Sequence, residues 1–306
     1  MTPLRKAQLQ IHFCVVLWGF TAILGKLITL PALQLVWWRM LMVTAALALV
    51  PAVWRGLRAM PWRLIAAYAG IGVVVALHWL TFYGAIKLAN ASVAATCIAL
   101  GPVFLALIEP LIARRRFDVR ELALGVAVVP GVALVVGGIP DAMRVGVAVG
   151  ALSALLVALF GAWNKRLVEH GDALTVTALE RGAGMLFLGL AAPLLAGDGP
   201  AFVVPDVRDA LLLGALALGC TLLPFALSLV ALRHLSAFSA QLAVNLEPVY
   251  AIVLAILLLG EQRELDASFY AGVAIVLGAV FLHPLIVKPK EPPQAEMLAT
   301  SEAKDV

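Results

Sequence analysis

Apolar runs of about 20 residues, separated by short polar breaks, set the pattern of this chain. A helix rises about 1.5 Å per residue, so roughly 20 predominantly apolar residues cross a hydrocarbon core about 30 Å thick. Ten stretches meet that length, at 10–29, 33–53, 62–86, 92–113, 120–138, 145–166, 174–196, 208–231, 236–259 and 266–287. Each predicts a membrane-spanning helix, and the connections are too short to hold an extramembrane domain. The fold class expected is therefore an all-α polytopic membrane protein. The first run follows Arg5 and Lys6 as a secretory signal does, but it is too long for a signal core and has no small-residue cleavage site, so it counts as the first span. Residues 288–306 are polar, contain Pro292 and Pro293, and predict a disordered tail.

Composition agrees with that pattern. Hydrophobic residues make up 63% of the chain and charged residues 13%, with a mean hydropathy of +1.03, which excludes soluble and disordered classes. The net charge of +4 does not point to nucleic acid, because the basic residues sit in short clusters between the apolar runs, where they set orientation. With the N-terminus inside, 15 lysines and arginines fall in cytoplasmic segments and five outside, while Arg39 and Arg181 lie within spans. A missed or extra helix would scramble this bias, so it predicts ten spans with both termini cytoplasmic, in the cell inner membrane. Cys14, Cys97 and Cys220 are far apart inside apolar segments and read as small buried hydrophobes.

The chain also matches itself. Residues 85–103 align with 231–249 without gaps, pairing Ala85 with Ala231, Lys87 with Arg233, Pro102 with Pro248 and Val103 with Val249. One inserted residue later, Gly125 pairs with Gly272 and Gly131 with Gly278, and further back Arg39 pairs with Arg181. The repeat divides the chain into residues 1–140, 141–287 and the tail 288–306. Each repeat holds five spans, an odd number, so the second enters the membrane from the opposite face. Inverted repeats around a midplane site are a recurring transporter architecture.

Trp18-Gly19 followed by Lys26, Pro31 and Arg39 resembles the start of an EamA-type member of the drug/metabolite transporter superfamily. Asn245-Leu246-Glu247-Pro248-Val249, then Leu259-Gly260-Glu261 and Gly272, resembles the end of a second EamA repeat. The resemblance covers nearly the whole chain, and within the family the chain is most similar to the YddG-type amino-acid exporters. It implies a basket of ten helices around a central cavity and export of small metabolites without ATP. Gly101 stands where the first repeat would match Glu247, so the two halves differ chemically at the midplane.

An ionisable side chain at the bilayer centre costs about 2.5–3.5 kcal/mol on insertion scales and needs a partner or water. Glu247 lies near the middle of the ninth stretch, before a proline, and is the strongest candidate for substrate or proton binding; its bland reading is a polar contact between helices. Arg39 and Arg181 match across the repeat and are read as structural charges, with Glu180 beside Arg181. In the third stretch Trp79 and Tyr83 share one helical face and His78 and Phe82 the adjacent one. An apolar wall with a few fixed polar groups suits a small-molecule cavity, although an interfacial aromatic belt competes for Trp79, Tyr83, Trp18 and Trp163. Asn245 is a further candidate. Pro102 and Pro248, at matched positions, are expected to kink their helices. Gly70, Gly72, Gly182 and Gly184 permit close helix approach.

These residues predict a secondary transporter that exports amino acids, aromatic or other apolar ones included, by alternating access. A drug or nucleotide-sugar carrier of the same superfamily is the alternative. A membrane enzyme lacks support, since the chain has no H-E-x-x-H, G-x-S-x-G or P-loop motif, and a channel would need a continuous polar pore. The expected protein is a monomer without cofactor, metal site or catalytic residue, and its partners are the lipid bilayer and a small amino acid or related metabolite, not nucleic acid.

Overall fold

The computed structural model describes residues 3–112, 119–167, 170–195, 200, 202–224, 227, 231, 243 and 246–286. Among them the regular structure is helical: α1 (Pro3–Leu27), α2 (Ala32–Ala48), α3 (Pro51–Ala59), α4 (Trp62–Leu88), α5 (Ala91–Ile98), α6 (Gly101–Ile112), α7 (Val119–Gly137), α8 (Arg144–Leu167), α9 (Ala173–Leu195), α10 (Val207–Gly214), α11 (Glu247–Leu259) and α12 (Ala267–Ile286). A π-helical segment, Ala215–Leu222, continues α10. Five helical stretches are long and apolar enough to cross a membrane, or six if α2 and α3 count as one bent span. Leu190 and Leu194 on α9 and Leu257 on α11 are exposed, as side chains facing lipid are.

Proline sets the breaks. The second apolar stretch was expected to run straight from 33 to 53, but the chain bends by 90° between α2 and α3. A residue before proline is pushed out of the helical region. Val50 is accordingly extended, and Pro51 opens α3, where its missing N–H costs nothing. The fourth stretch is also divided, at residues 99–100, just ahead of Gly101 and Pro102. Pro248 stands in the first turn of α11, where its missing N–H costs no intrahelical bond, and most of the residues before it in the ninth stretch lie outside the described ones.

Helices of the two halves interlock. α4 packs on α8 and α9, α1 on α11, α5 and α6 on α8, and α2 on α9 and the π segment, while α7 packs on α12. Exchanging the halves turns the α1–α11 pair into α8 with α5 and α6, and the α4–α9 pair into the π segment with α2. Glycine sets the closest approaches. A Cβ on Gly184 would stand 2.8 Å from the carbonyl oxygen of Gly72 and 2.9 Å from Met40 Sδ, and one on Gly131 would stand 2.9 Å from the carbonyl oxygen of Gly272.

Carboxylates close the face that carries the α1–α2, α4–α5 and α11–α12 connections. Asp209, on α10, accepts from Thr29 N at 3.0 Å, Thr29 Oγ1 at 2.7 Å and Leu30 N at 3.2 Å. Glu261, just past the left-handed Gly260, accepts from Ala91 N at 2.9 Å and Ser92 N at 2.8 Å, so the second half caps α5 of the first. Lys26 and Lys87 donate to the carbonyls of Ala89 and Ile28, tying the two neighbouring loops together.

Candidate functional site

Arg39 sits on α2 with only 4% of its surface exposed. A buried guanidinium is tolerated when it is hydrogen-bonded, and here each of its three nitrogens donates. Nε and Nη2 donate to Thr221 Oγ1 at 3.0 and 2.8 Å, and Nη1 donates to the Tyr83 hydroxyl at 2.6 Å. Its Cζ lies 3.7 Å from the centroid of the Trp79 ring. Trp79 and Tyr83, one turn apart on α4, therefore meet the same cation. Thr221 is available because the π segment widens its turn: its hydroxyl donates to Leu216 O, five residues back, at 2.8 Å. Gly25 on α1 makes room for the Tyr83 ring, since a Cβ there would come 2.6 Å from Cδ1.

Arg181 approaches the same tryptophan from the other half. Its Cζ is 4.6 Å from the Trp79 ring centroid, placing two cations on one π system. Unlike Arg39, it is not satisfied. Nη1 is 3.9 Å from Glu180 Oε2, beyond hydrogen-bond length, and Nε and Nη1 are buried with no hydrogen-bond partner. Glu180 Oε1, Asn164 Oδ1 and Thr44 Oγ1 are orphaned in the same way. Asn164 hydrogen-bonds Glu180 through its side chain, and Thr44 lies beside Gly182, the residue after Arg181. A buried donor or acceptor left unmade costs about 1–3 kcal/mol.

Glu247 opens α11 within electrostatic reach of Arg39. It is half-buried, and no described residue hydrogen-bonds or ion-pairs with its carboxylate. The two arginines, Glu180, Glu247, Trp79 and Tyr83 thus form a charged and aromatic group drawn from both halves.

Three other expected site residues have packing or hydrogen-bond partners of their own. His78 Nδ1 is 2.9 Å from Ser153 Oγ, and that hydroxyl also donates to the His78 carbonyl. The ring packs against Phe82 and Phe160. His78 therefore joins α4 to α8 and does not offer a free ring to a cavity. Trp18 packs with Leu246 and Tyr250 in a satellite cluster between α1 and α11, and Trp163 packs against the main core. Asn245 lies outside the described residues. Sequence reasoning missed Thr221 and Ser153; the only signal for each was a small hydroxyl inside an apolar run, which is common in membrane helices.

The model of the EamA-like transporter family matches residues 5–137 and 144–285. No curated protein matches the sequence. Twelve chains of solved structures share the fold. One, a crystal structure of a protein 17% identical in sequence, superposes with a TM-score of 0.60 over 94% of this chain and 99% of that chain.

Proposed function

The chain belongs to the EamA-like transporter family, and from that premise we propose that it is a secondary exporter of amino acids of the YddG type, working by alternating access. The family carries small molecules across membranes and is not enzymatic, so Trp79, the two arginines and Glu247 are read as a transport site. The observation that carries the amino-acid reading is a single group that offers a carboxylate with no hydrogen-bond partner among the described residues, cationic guanidiniums and an aromatic face. A zwitterion with an apolar side chain needs those three features. Drug carriage would use the aromatic face but leaves the arginines without a role.

In this reading ten spans cross the inner membrane as two inverted repeats, residues 1–140 and 141–287, with both termini cytoplasmic. The positive-inside bias supports the orientation, and the shorter apolar helices Val126–Gly137, Glu247–Leu259 and Ala267–Ala279 support the additional spans. The two halves lie on either side of Trp79, so rocking one against the other moves access to the site from one face to the other.

The test is a bacterial strain expressing the protein. The wild type lowers the cellular pool of one or more amino acids and protects against their toxic analogues, and Glu247→Gln weakens that protection at unchanged membrane abundance. Wild-type protection by Glu247→Gln removes Glu247 from the site, and a strain in which no amino-acid pool moves overturns the amino-acid reading.

A further inference from the structure

The two arginines are equivalent by sequence but not by environment. At the offset of 146 that aligns Ala85 with Ala231, the residue of α4 matching Thr221 is Val75. The hydroxyl that Arg39 meets has no hydroxyl counterpart at that position of the sequence. Arg39 donates from all three nitrogens to Thr221 and Tyr83, while Arg181 keeps Nε and Nη1 unmade. Unused buried donors are what an anion-binding arginine has before its anion arrives. The two guanidiniums are also within electrostatic reach of one another, and that repulsion falls when a negative group joins them.

We infer that Arg181 is the carboxylate-binding group of a solute site on the face of Trp79, with Arg39 as a positioning residue that fixes the ring and adds positive potential. A planar guanidinium suits a carboxylate, which accepts two parallel N–H bonds. A monoanion fits better than a phosphate dianion, because Glu180 already lies 3.9 Å from Arg181. The inference rests on the transport reading and gives it a direction: the carboxylate end of the solute goes to Arg181.

The experiment uses the purified full-length protein in lipid nanodiscs and measures binding of three probes. They are L-phenylalanine, its carboxamide, and 3-phenylpropionate, which keeps the carboxylate but lacks the ammonium. The wild type binds the two carboxylate probes at least tenfold more tightly than the carboxamide. In the double variant Glu180→Gln/Arg181→Gln, which removes both charges together so that neither is left buried alone, the carboxylate probes weaken at least tenfold and the carboxamide is unchanged. Arg181→Lys keeps the charge without the fork and weakens the carboxylate probes less. A carboxylate preference that survives in the double variant overturns the inference, as does a wild type that favours the carboxamide or binds neither carboxylate probe; these comparisons within the wild type hold even if the double variant fails to fold. The two readings separate cleanly. Phenylalanine bound without dependence on Arg181 sinks the inference and leaves the amino-acid reading standing. Phenylpropionate bound through Arg181 with no phenylalanine bound does the reverse.

Discussion

The Tyr83 hydroxyl is the only described group that accepts from Arg39 Nη1, and the ring that carries it is fully buried. Tyr83→Phe removes the acceptor and keeps the shape, so one charged donor is left without a partner at a cost of about 1–3 kcal/mol. The expected result is a lower melting temperature for the purified protein together with weakened transport, because Arg39 and Trp79 then lose their fixed relation. Gly25→Ala acts on the same ring sterically. Its Cβ would come 2.6 Å from Tyr83 Cδ1, so the ring must move, and transport falls even though the hydroxyl remains. A Gly25→Ala protein that transports like the wild type would show that the position of Tyr83 does not matter. The candidate residues were visible in the sequence because a charge or a tryptophan inside an apolar run stands out. Their association was not. Arg39, Trp79 and Arg181 lie on three helices, and periodicity gives the face of each helix without its rotation relative to the others. For the same reason Trp18 was readable as an aromatic but not as a residue packed with Leu246 and Tyr250.

At the scale of elements, apolar length located the helices well, and proline with glycine located most of their ends. What the pattern could not show was the turn between α2 and α3, since the residues through Val53 remain apolar and only Pro51 breaks the helix. The π segment was equally hidden, because Ala215–Leu222 has the composition of any buried helix and its extra residue is dictated by packing. Contacts between elements across the repeat are also legible only in the structure. Glu261 belongs to a motif seen in the sequence, yet its task is to hold the N-terminus of α5 through two backbone N–H groups. Glu261→Gln leaves one oxygen where two accepted and removes the charge that favours a helix N-terminus. A loss of roughly 1–3 kcal/mol is expected, read as a lower melting temperature and faster proteolysis near the α4–α5 connection. An unchanged melting temperature would mean that the cap contributes little.

For the whole molecule the repeat was the most informative part of the sequence, since the family model matches once in each half, over residues 5–137 and 144–285. The expected inversion follows from an odd number of spans per repeat, and it places the loops of the two halves on defined faces. Arg55, exposed on α3, lies on the cytoplasmic face in the ten-span arrangement, whereas Asp141, exposed in the turn before α8, lies on the opposite one. The three native cysteines are buried, so new cysteines at these two positions report almost alone. In intact cells a membrane-impermeant maleimide should label Asp141→Cys and leave Arg55→Cys untouched until the membrane is opened. Both positions are solvent-exposed and outside the transport site, so neither substitution should disturb folding. Labelling of both from the same side would rule out five spans per repeat. With it would go the reasoning that puts Trp79 between two halves of opposite orientation, because an even number of crossings gives parallel repeats and no exchange of access by rocking one half against the other.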